Sequence, residues 1–137
     1  MDRITVPAST DQLENVQNFV SGHLESFDCP MKTMMQIEIA VEEIFVNIAS
    51  YAYRSETGEV TVCCEVRKNP TEAVIQFLDH GIPFNPLKKE DADTSQNALI
   101  EREGGLGILM VKKSMDSVGY SYEDGKNILT ISKKIEE

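Results

Sequence analysis

The run Gln36 to Tyr53, QIEIAVEEIFVNIASYAY, constrains this chain most, because a helix buried along one side is the structure that satisfies it. At about 100° per residue, Ile37, Val41, Ile44 and Ile48 form one stripe that must face a core, while Glu43 and Asn47, four residues apart, share a ledge at its edge. A carboxylate and a carboxamide thus stand together on the margin of that core. Glu38 and Glu42 fall on the opposite side, where water is the ordinary partner. Taken alone, Glu43 and Asn47 are a polar helix flank. Their meaning depends on what surrounds them in the chain.

Before this run, Arg3 to Pro7 reads as an extended start, and Ser9-Thr10-Asp11 with Glu14 offers helix caps in a capping-box arrangement. Leu13, Val16, Val20, Leu24 and Phe27 then predict a first amphipathic helix. Asp28-Cys29-Pro30 breaks it and opens the second, with Pro30 at a first helical position. Met31, Met34 and Met35 read as adaptable core or interface filling. The second helix is expected to run to about Arg54, and Ser55 to Gly58 to turn the chain.

From Glu59 to Lys68 the period changes to two, with Val60, Val62, Cys64 and Val66 on one face. Asn69-Pro70-Thr71 is a turn and Glu72 to Leu78 a second strand, so the pair reads as an antiparallel hairpin that stops at Asp79. Asp79 to Glu103 is a long connection, with Pro83 and Pro86 near its start and a polar stretch after them. Connections of this length in a small domain are more often functional lids than idle linkers. Gly104-Gly105-Leu106-Gly107 should end it and open a third helix, Ile108 to Met115. Val118 to Glu123 and Asn127 to Lys134 close the chain as a hairpin across Asp124-Gly125. The expected class is α+β: a two-layer sandwich, with a mainly antiparallel mixed sheet carrying helices on one face. It would be a single domain over 1–137 with a lid at about 80–105.

Composition narrows the partners. At 137 residues, with 41% hydrophobic and 26% charged, the chain suits one globular domain. Its formal charge of -10 argues against a nucleic-acid surface, which needs clustered Lys and Arg, although a small phosphorylated ligand needs only a local positive field. No apolar run reaches the length of a membrane-spanning helix, and MDRITVPAST lacks the regions of a secretory signal, so a cytoplasmic location away from membranes is expected. Cys29, Cys63 and Cys64 are odd in number and lack C-x-x-C spacing. They read as free thiols, with Cys63 and Cys64 pointing to opposite faces of a strand.

Two further places could carry chemistry. Asp79 ends a strand and is followed by Gly81 in DHGIPFNP; such a carboxylate can accept from an exocyclic amine, and a glycine two residues on lets a flat ring approach the backbone. Asp-x-Gly also occurs in ordinary turns. Gly104, Gly105 and Gly107 precede a helix, where free N–H groups and the helix dipole favour a phosphate. No Lys-Ser or Lys-Thr follows, so this is not a Walker loop.

In this order, EEIFVNIASYAY, DHGIPFNP, a long connection and GGLGILMV, the chain resembles the ATPase family shared by gyrase, Hsp90, histidine kinases and MutL. Within it, the chain looks like the small stand-alone anti-sigma-factor serine/threonine kinases, and that likeness covers most of the sequence. The resemblance implies a Bergerat-type ATP-binding fold with ATP and Mg²⁺ as cofactors. The position matching Asn47 would ligate Mg²⁺, that matching Glu43 would be the general base, and that matching Asp79 would hold the adenine amine. Gly81, Gly104, Gly105, Leu106 and Gly107 would shape the pocket and lid, with Arg102, Lys88 and Lys89 as phosphate partners. Two positions depart from the family pattern: Tyr51 stands where these kinases often have histidine, and Gly125-Lys126-Asn127 where many relatives have Gly-Thr.

The function so implied is an ATP-dependent serine/threonine kinase acting as an anti-sigma factor. It would phosphorylate an anti-anti-sigma protein, bind a partner such as a sigma factor, and form a homodimer through the sheet side. The alternative is a catalytically silent module that uses nucleotide only to set its lid and its affinity for a partner. The catalytic half of a sensor histidine kinase fits less well, since one short helix leaves no room for a phosphoacceptor hairpin.

Overall fold

The computed structural model describes residues 1–53, 58–88 and 103–135, with residues 88 and 103–106 described by backbone alone. In chain order the elements are β1 (Asp2–Pro7), α1 (Leu13–Glu25), α2 (Met31–Tyr51), β2 (Glu59–Arg67), β3 (Glu72–Asp79), α3 (Glu103–Ser114), β4 (Ser117–Glu123) and β5 (Lys126–Lys134). Single 3-10 turns at Thr10–Gln12 and Pro86–Lys88 sit between them. The strands form one sheet in the order β1-β2-β3-β5-β4, and every pairing is antiparallel. This is the expected α+β sandwich.

Alternation decides which side of the sheet is covered. Val62 pairs with Phe77 and Phe77 with Leu129, so these side chains share a face with Val60, Cys64, Ala73, Ile75 and Ile131. All are buried in one core with Val16, Val20 and Leu24 of α1, Ile37, Ala40, Val41, Ile44 and Phe45 of α2, and Val111 of α3. Cys64 points into this core, while Cys63 is buried on the opposite face, as their adjacency requires. Inside the core, the Cys64 thiol is pushed up to about 12 by loss of water around its charged form. It is an inert packing group at ordinary pH.

Two side-chain rows on the covered face position everything that follows. In β3 the row runs Ala73, Ile75, Phe77, Asp79, and in β5 it runs Ile131, Leu129, Asn127. Both begin in apolar core and end in a polar residue that is still buried, Asp79 at 4% exposure and Asn127 at 6%. Asp79 and Asn127 are register partners. The closing hairpin turns through Asp124 and Gly125, both at positive φ, as a two-residue loop of this kind requires.

Several local expectations are corrected. The capping box is not used: Ser9 is extended and Gln12 stands at the start of α1, and neither side chain caps a helix. The reason is the 3-10 turn, which takes Asp11 into helical geometry and away from the extended cap position. Pro30 precedes α2 as its extended cap residue, one position earlier than expected. Glu38 is not turned to water but accepts a 2.8 Å hydrogen bond from Ser21 of α1. Of the methionines, Met34 packs on the core, whereas Met31 and Met35 are exposed.

The largest difference is the start of α3. It begins at Glu103, so Gly104, Gly105 and Gly107 lie inside its first turns and do not precede it. Glycine costs a helix interior about 1 kcal/mol relative to alanine, which is why the sequence pattern places the boundary later.

Candidate nucleotide site

At the polar end of the two rows the helices and sheet part into a cleft that is partly open to solvent. Ile44, Asn47, Ile48 and Tyr51 of α2 line one wall, Phe77 and Asp79 with Tyr120, Asn127 and Leu129 form the floor, and Ile82, Phe84 and Pro86 edge the rim. The walls are apolar, with a few convergent polar groups. That is the usual constitution of a small-molecule site.

Asp79 is held by what lies beside it. Its Oδ1 accepts from the Gly81 backbone N–H at 2.8 Å and from Asn127 Nδ2 at 3.0 Å. Its second oxygen, Oδ2, takes no hydrogen bond among the described residues, so the carboxylate keeps one acceptor for a ligand donor. Gly81 is needed here for a different reason from the expected one: a Cβ at this position would lie 2.3 Å from the Ala52 carbonyl oxygen. The glycine lets the β3 end approach the last turn of α2, where Ile82 N–H donates to that same oxygen at 3.1 Å.

On α2, Asn47 Nδ2 donates to the Glu43 carbonyl at 2.8 Å and to Glu43 Oε2 at 3.3 Å. With its nitrogen tied to the helix, the carboxamide oxygen accepts no hydrogen bond among the described residues. Glu43 stands one turn back from the cleft wall. Its carboxylate lies against the α-carbon of Gly107, where a Cβ would come within 1.9 Å of the carboxyl carbon. Burial raises the Glu43 carboxyl from its ordinary value; the Asn47 hydrogen bond acts against this and the Glu42 charge adds to it. Once ionised, a carboxylate raised in this way is a stronger proton acceptor than an unperturbed one.

The structure therefore brings Glu43, Asn47, Asp79, Gly81 and Gly107 into one neighbourhood. Gly104, Gly105 and Leu106 lie in the first turn of α3, where backbone N–H groups lack partners within the helix. Arg102, Lys89 and most of the expected lid lie outside the described residues. Lys88 ends the 3-10 turn at Pro86–Lys88, which Asn85 opens by accepting from the Leu87 N–H at 2.9 Å.

Three neighbours of the site were not anticipated as functional. Tyr53 donates to the Glu59 carbonyl at 2.6 Å and accepts from the His80 N–H at 2.8 Å, so it clips the end of α2 to β2 and β3. Gly58 packs directly on its ring. Asn127 and Tyr120, joined by a short hydrogen bond, complete the floor. For Asn127 a signal existed, since it is a polar residue at the inward parity of a strand whose other inward positions are Leu129 and Ile131.

Among the described residues no group of three or more His, Cys, Asp or Glu could hold a metal ion, and no helix is long and apolar enough to cross a membrane.

The chain is similar to known proteins over nearly its whole length. Serine-protein kinase RsbW of Bacillus mycoides is 25% identical over 128 residues, covering 90% of this chain and 79% of that one. RsbW of Staphylococcus epidermidis is 27% identical over 130 residues, covering 92% and 82%. Among solved structures, the RsbU and RsbW domains of a Mycobacterium tuberculosis protein superpose with a TM-score of 0.69 at 11% identity, covering all of this chain and 33% of that one. Histidine kinase AdeS of Acinetobacter baumannii superposes at 0.54 with 15% identity, over all of this chain and 70% of that one. The profile of the histidine kinase-like ATPase domain matches residues 6–133, nearly the whole sequence, and the chain belongs to that family.

Proposed function

We propose that this chain is an ATP-dependent serine/threonine protein kinase of the anti-sigma type, acting on a hydroxyl of a regulatory partner protein. The observation that carries the reading is the meeting of two polar groups in one apolar cleft. The buried Asp79 carboxylate and the Asn47 carboxamide line the same cleft, each with an oxygen that accepts no hydrogen bond among the described residues, and the raised Glu43 carboxyl lies beside Asn47.

The residues present fit ATP and Mg²⁺. Asn47 offers one oxygen of the kind a hard cation prefers, and the described residues supply no closed metal cage, as suits an ion that arrives bound to phosphates and water. When bound, the ion would neutralise charge developing on the transferred phosphoryl group. Asp79 would accept from the exocyclic amine of adenine while Ile44, Ile48 and Phe77 exclude water from the ring. The backbone at the start of α3 would face the phosphates. Glu43 would take the proton of the attacking serine or threonine hydroxyl as its oxygen bonds to the terminal phosphorus and the bond from that phosphorus to the departing ADP breaks.

Transfer of labelled phosphate from ATP to a purified anti-anti-sigma partner tests the reading. Labelling of a partner serine or threonine by the wild type, and its loss in Asn47→Ala and Asp79→Ala, is the expected result. ATP binding without labelling of any hydroxyl would instead favour the silent nucleotide-controlled module. Under that second reading Glu43→Ala leaves partner regulation intact while Asn47→Ala and Asp79→Ala destroy it. Binding of a sigma factor, dimerisation and cytoplasmic location belong to the same proposal, as what the family resemblance implies.

A further inference from the structure

We propose that Asn127 is a positioning residue for the nucleobase end of the cleft: its carboxamide aims the Asp79 carboxylate and holds the Gly81–Phe84 segment against β5. The inference rests on the nucleotide-binding reading above and deepens it.

The amide is buried, and each of its polar atoms is engaged. Nδ2 donates to Asp79 Oδ1 at 3.0 Å, to the Ile82 carbonyl at 2.9 Å and, more weakly, to the Gly81 carbonyl at 3.4 Å. Oδ1 accepts from the Phe84 N–H at 3.1 Å and from the Tyr120 hydroxyl. The orientation has no alternative. Turning the amide over would set its oxygen against a carboxylate and two carbonyls, and its NH₂ against the Phe84 N–H.

Only an amide meets these demands, since the site needs donors on one side and an acceptor on the other. A carboxylate of the same size would keep the contacts to Phe84 and Tyr120 and lose every donor toward Asp79. A hydroxyl would be too short to serve both sides. Two consequences reach the ligand. Asp79 Oδ1 is occupied by Asn127 and Gly81, so the atom left for an exocyclic amine is Oδ2, in a fixed direction. The rim segment carrying Ile82 and Phe84 is fastened to the same side chain that fastens the carboxylate, so acceptor and apolar rim move as one unit.

The test is calorimetry with Mg·ATP on the full chain across pH, with melting curves for each variant. Asn127→Ala should weaken binding at least tenfold at neutral pH. N127D should bind poorly at about pH 8, because two facing carboxylates repel, and recover as the pair takes up one proton toward about pH 5.5. Its affinity relative to wild type should rise at least fivefold over that range. A side chain that merely fills space would show no such recovery. Tyr120→Phe, which keeps the ring and removes one anchor of Oδ1, should weaken binding by twofold or more and carries the test if Asn127→Ala does not fold.

Wild-type affinity in these variants at every pH, or an N127D defect that acid does not relieve, overturns the proposal. If Asp79→Ala abolishes binding while the Asn127 and Tyr120 variants do not change it, this inference alone fails. If the wild type does not bind Mg·ATP, or binds it equally well after Asp79→Ala, the nucleotide reading fails and takes the inference with it.

Discussion

At the scale of single residues, the contact between Glu43 and Gly107 joins the proposed base to the helix that would face the phosphates. The Glu43 carboxyl is raised, chiefly by burial, so the folded chain keeps this proton to higher pH than the unfolded chain does. Its contribution to stability is therefore fully present below the unfolded value and lost as pH rises through the folded one. Glu43→Gln mimics the protonated form. It should match wild-type stability below about pH 4 and equal or slightly exceed it at neutral pH, the margin being small because the group is partly solvated. Phosphate transfer should fall by about 10²- to 10⁴-fold with Mg·ATP binding retained, the usual scale for removing a general base. Denaturation at the two pH values and a transfer assay check both halves. Gly107→Ala approaches the same carboxylate from the other side. Alanine favours the helix by roughly 1 kcal/mol, and the obstructing atoms are the far end of a movable side chain. The melting temperature should hold or rise while transfer drops at least tenfold. A variant with unchanged transfer would show that the position of this carboxylate is immaterial.

At the scale of elements, the strands and the two long helices were legible because their hydrophobic periods are unambiguous, and the register of β3 on β5 follows from burying one parity of each. The α3 boundary was not legible, because three glycines among its first five residues oppose local propensity, and it is contact with α2, including Glu43 against Gly107, that accompanies helix there. Gly81 shows the same limit in another form. The sequence marked the position, but its cause is the Ala52 carbonyl, a backbone group 29 residues away in the chain that no local pattern reveals. Because that obstacle is backbone, Gly81→Ala should be costly where Gly107→Ala is not. The β3 end must separate from α2 and break the hydrogen bond from Ile82 to Ala52, for a loss of about 1–3 kcal/mol. Chemical denaturation of the two variants side by side reads the contrast. Asn47 and Asp79 stood out as candidates only through the order of motifs along the chain and the family resemblance it carries, whereas Asn127 required the strand pairing that sets it opposite Asp79.

At the scale of the whole molecule, the site and the core are one structure. Asp79 and Asn127 are the last members of rows whose earlier members, Ile75, Phe77, Leu129 and Ile131, form the centre of the core, and a slip of one residue in the register would turn both polar groups to the opposite face. A ligand bound between them is therefore bound to the packed sandwich and has no comparable site on the unfolded chain. Saturation should stabilise the fold as a unit: at a concentration of about 100 times Kd, a ligand exclusive to the native state adds roughly 2.7 kcal/mol. For a domain of this length that corresponds to a rise in Tm of about 10 °C. Scanning calorimetry with and without Mg·ATP should show one transition moving upward without splitting. In Asp79→Ala, where the acceptor is gone but the apolar rows remain, the shift should nearly vanish. A ligand-free shoulder left at the original temperature would mean that the cleft unfolds apart from the core, and the two rows would then be neighbours without being mechanically joined.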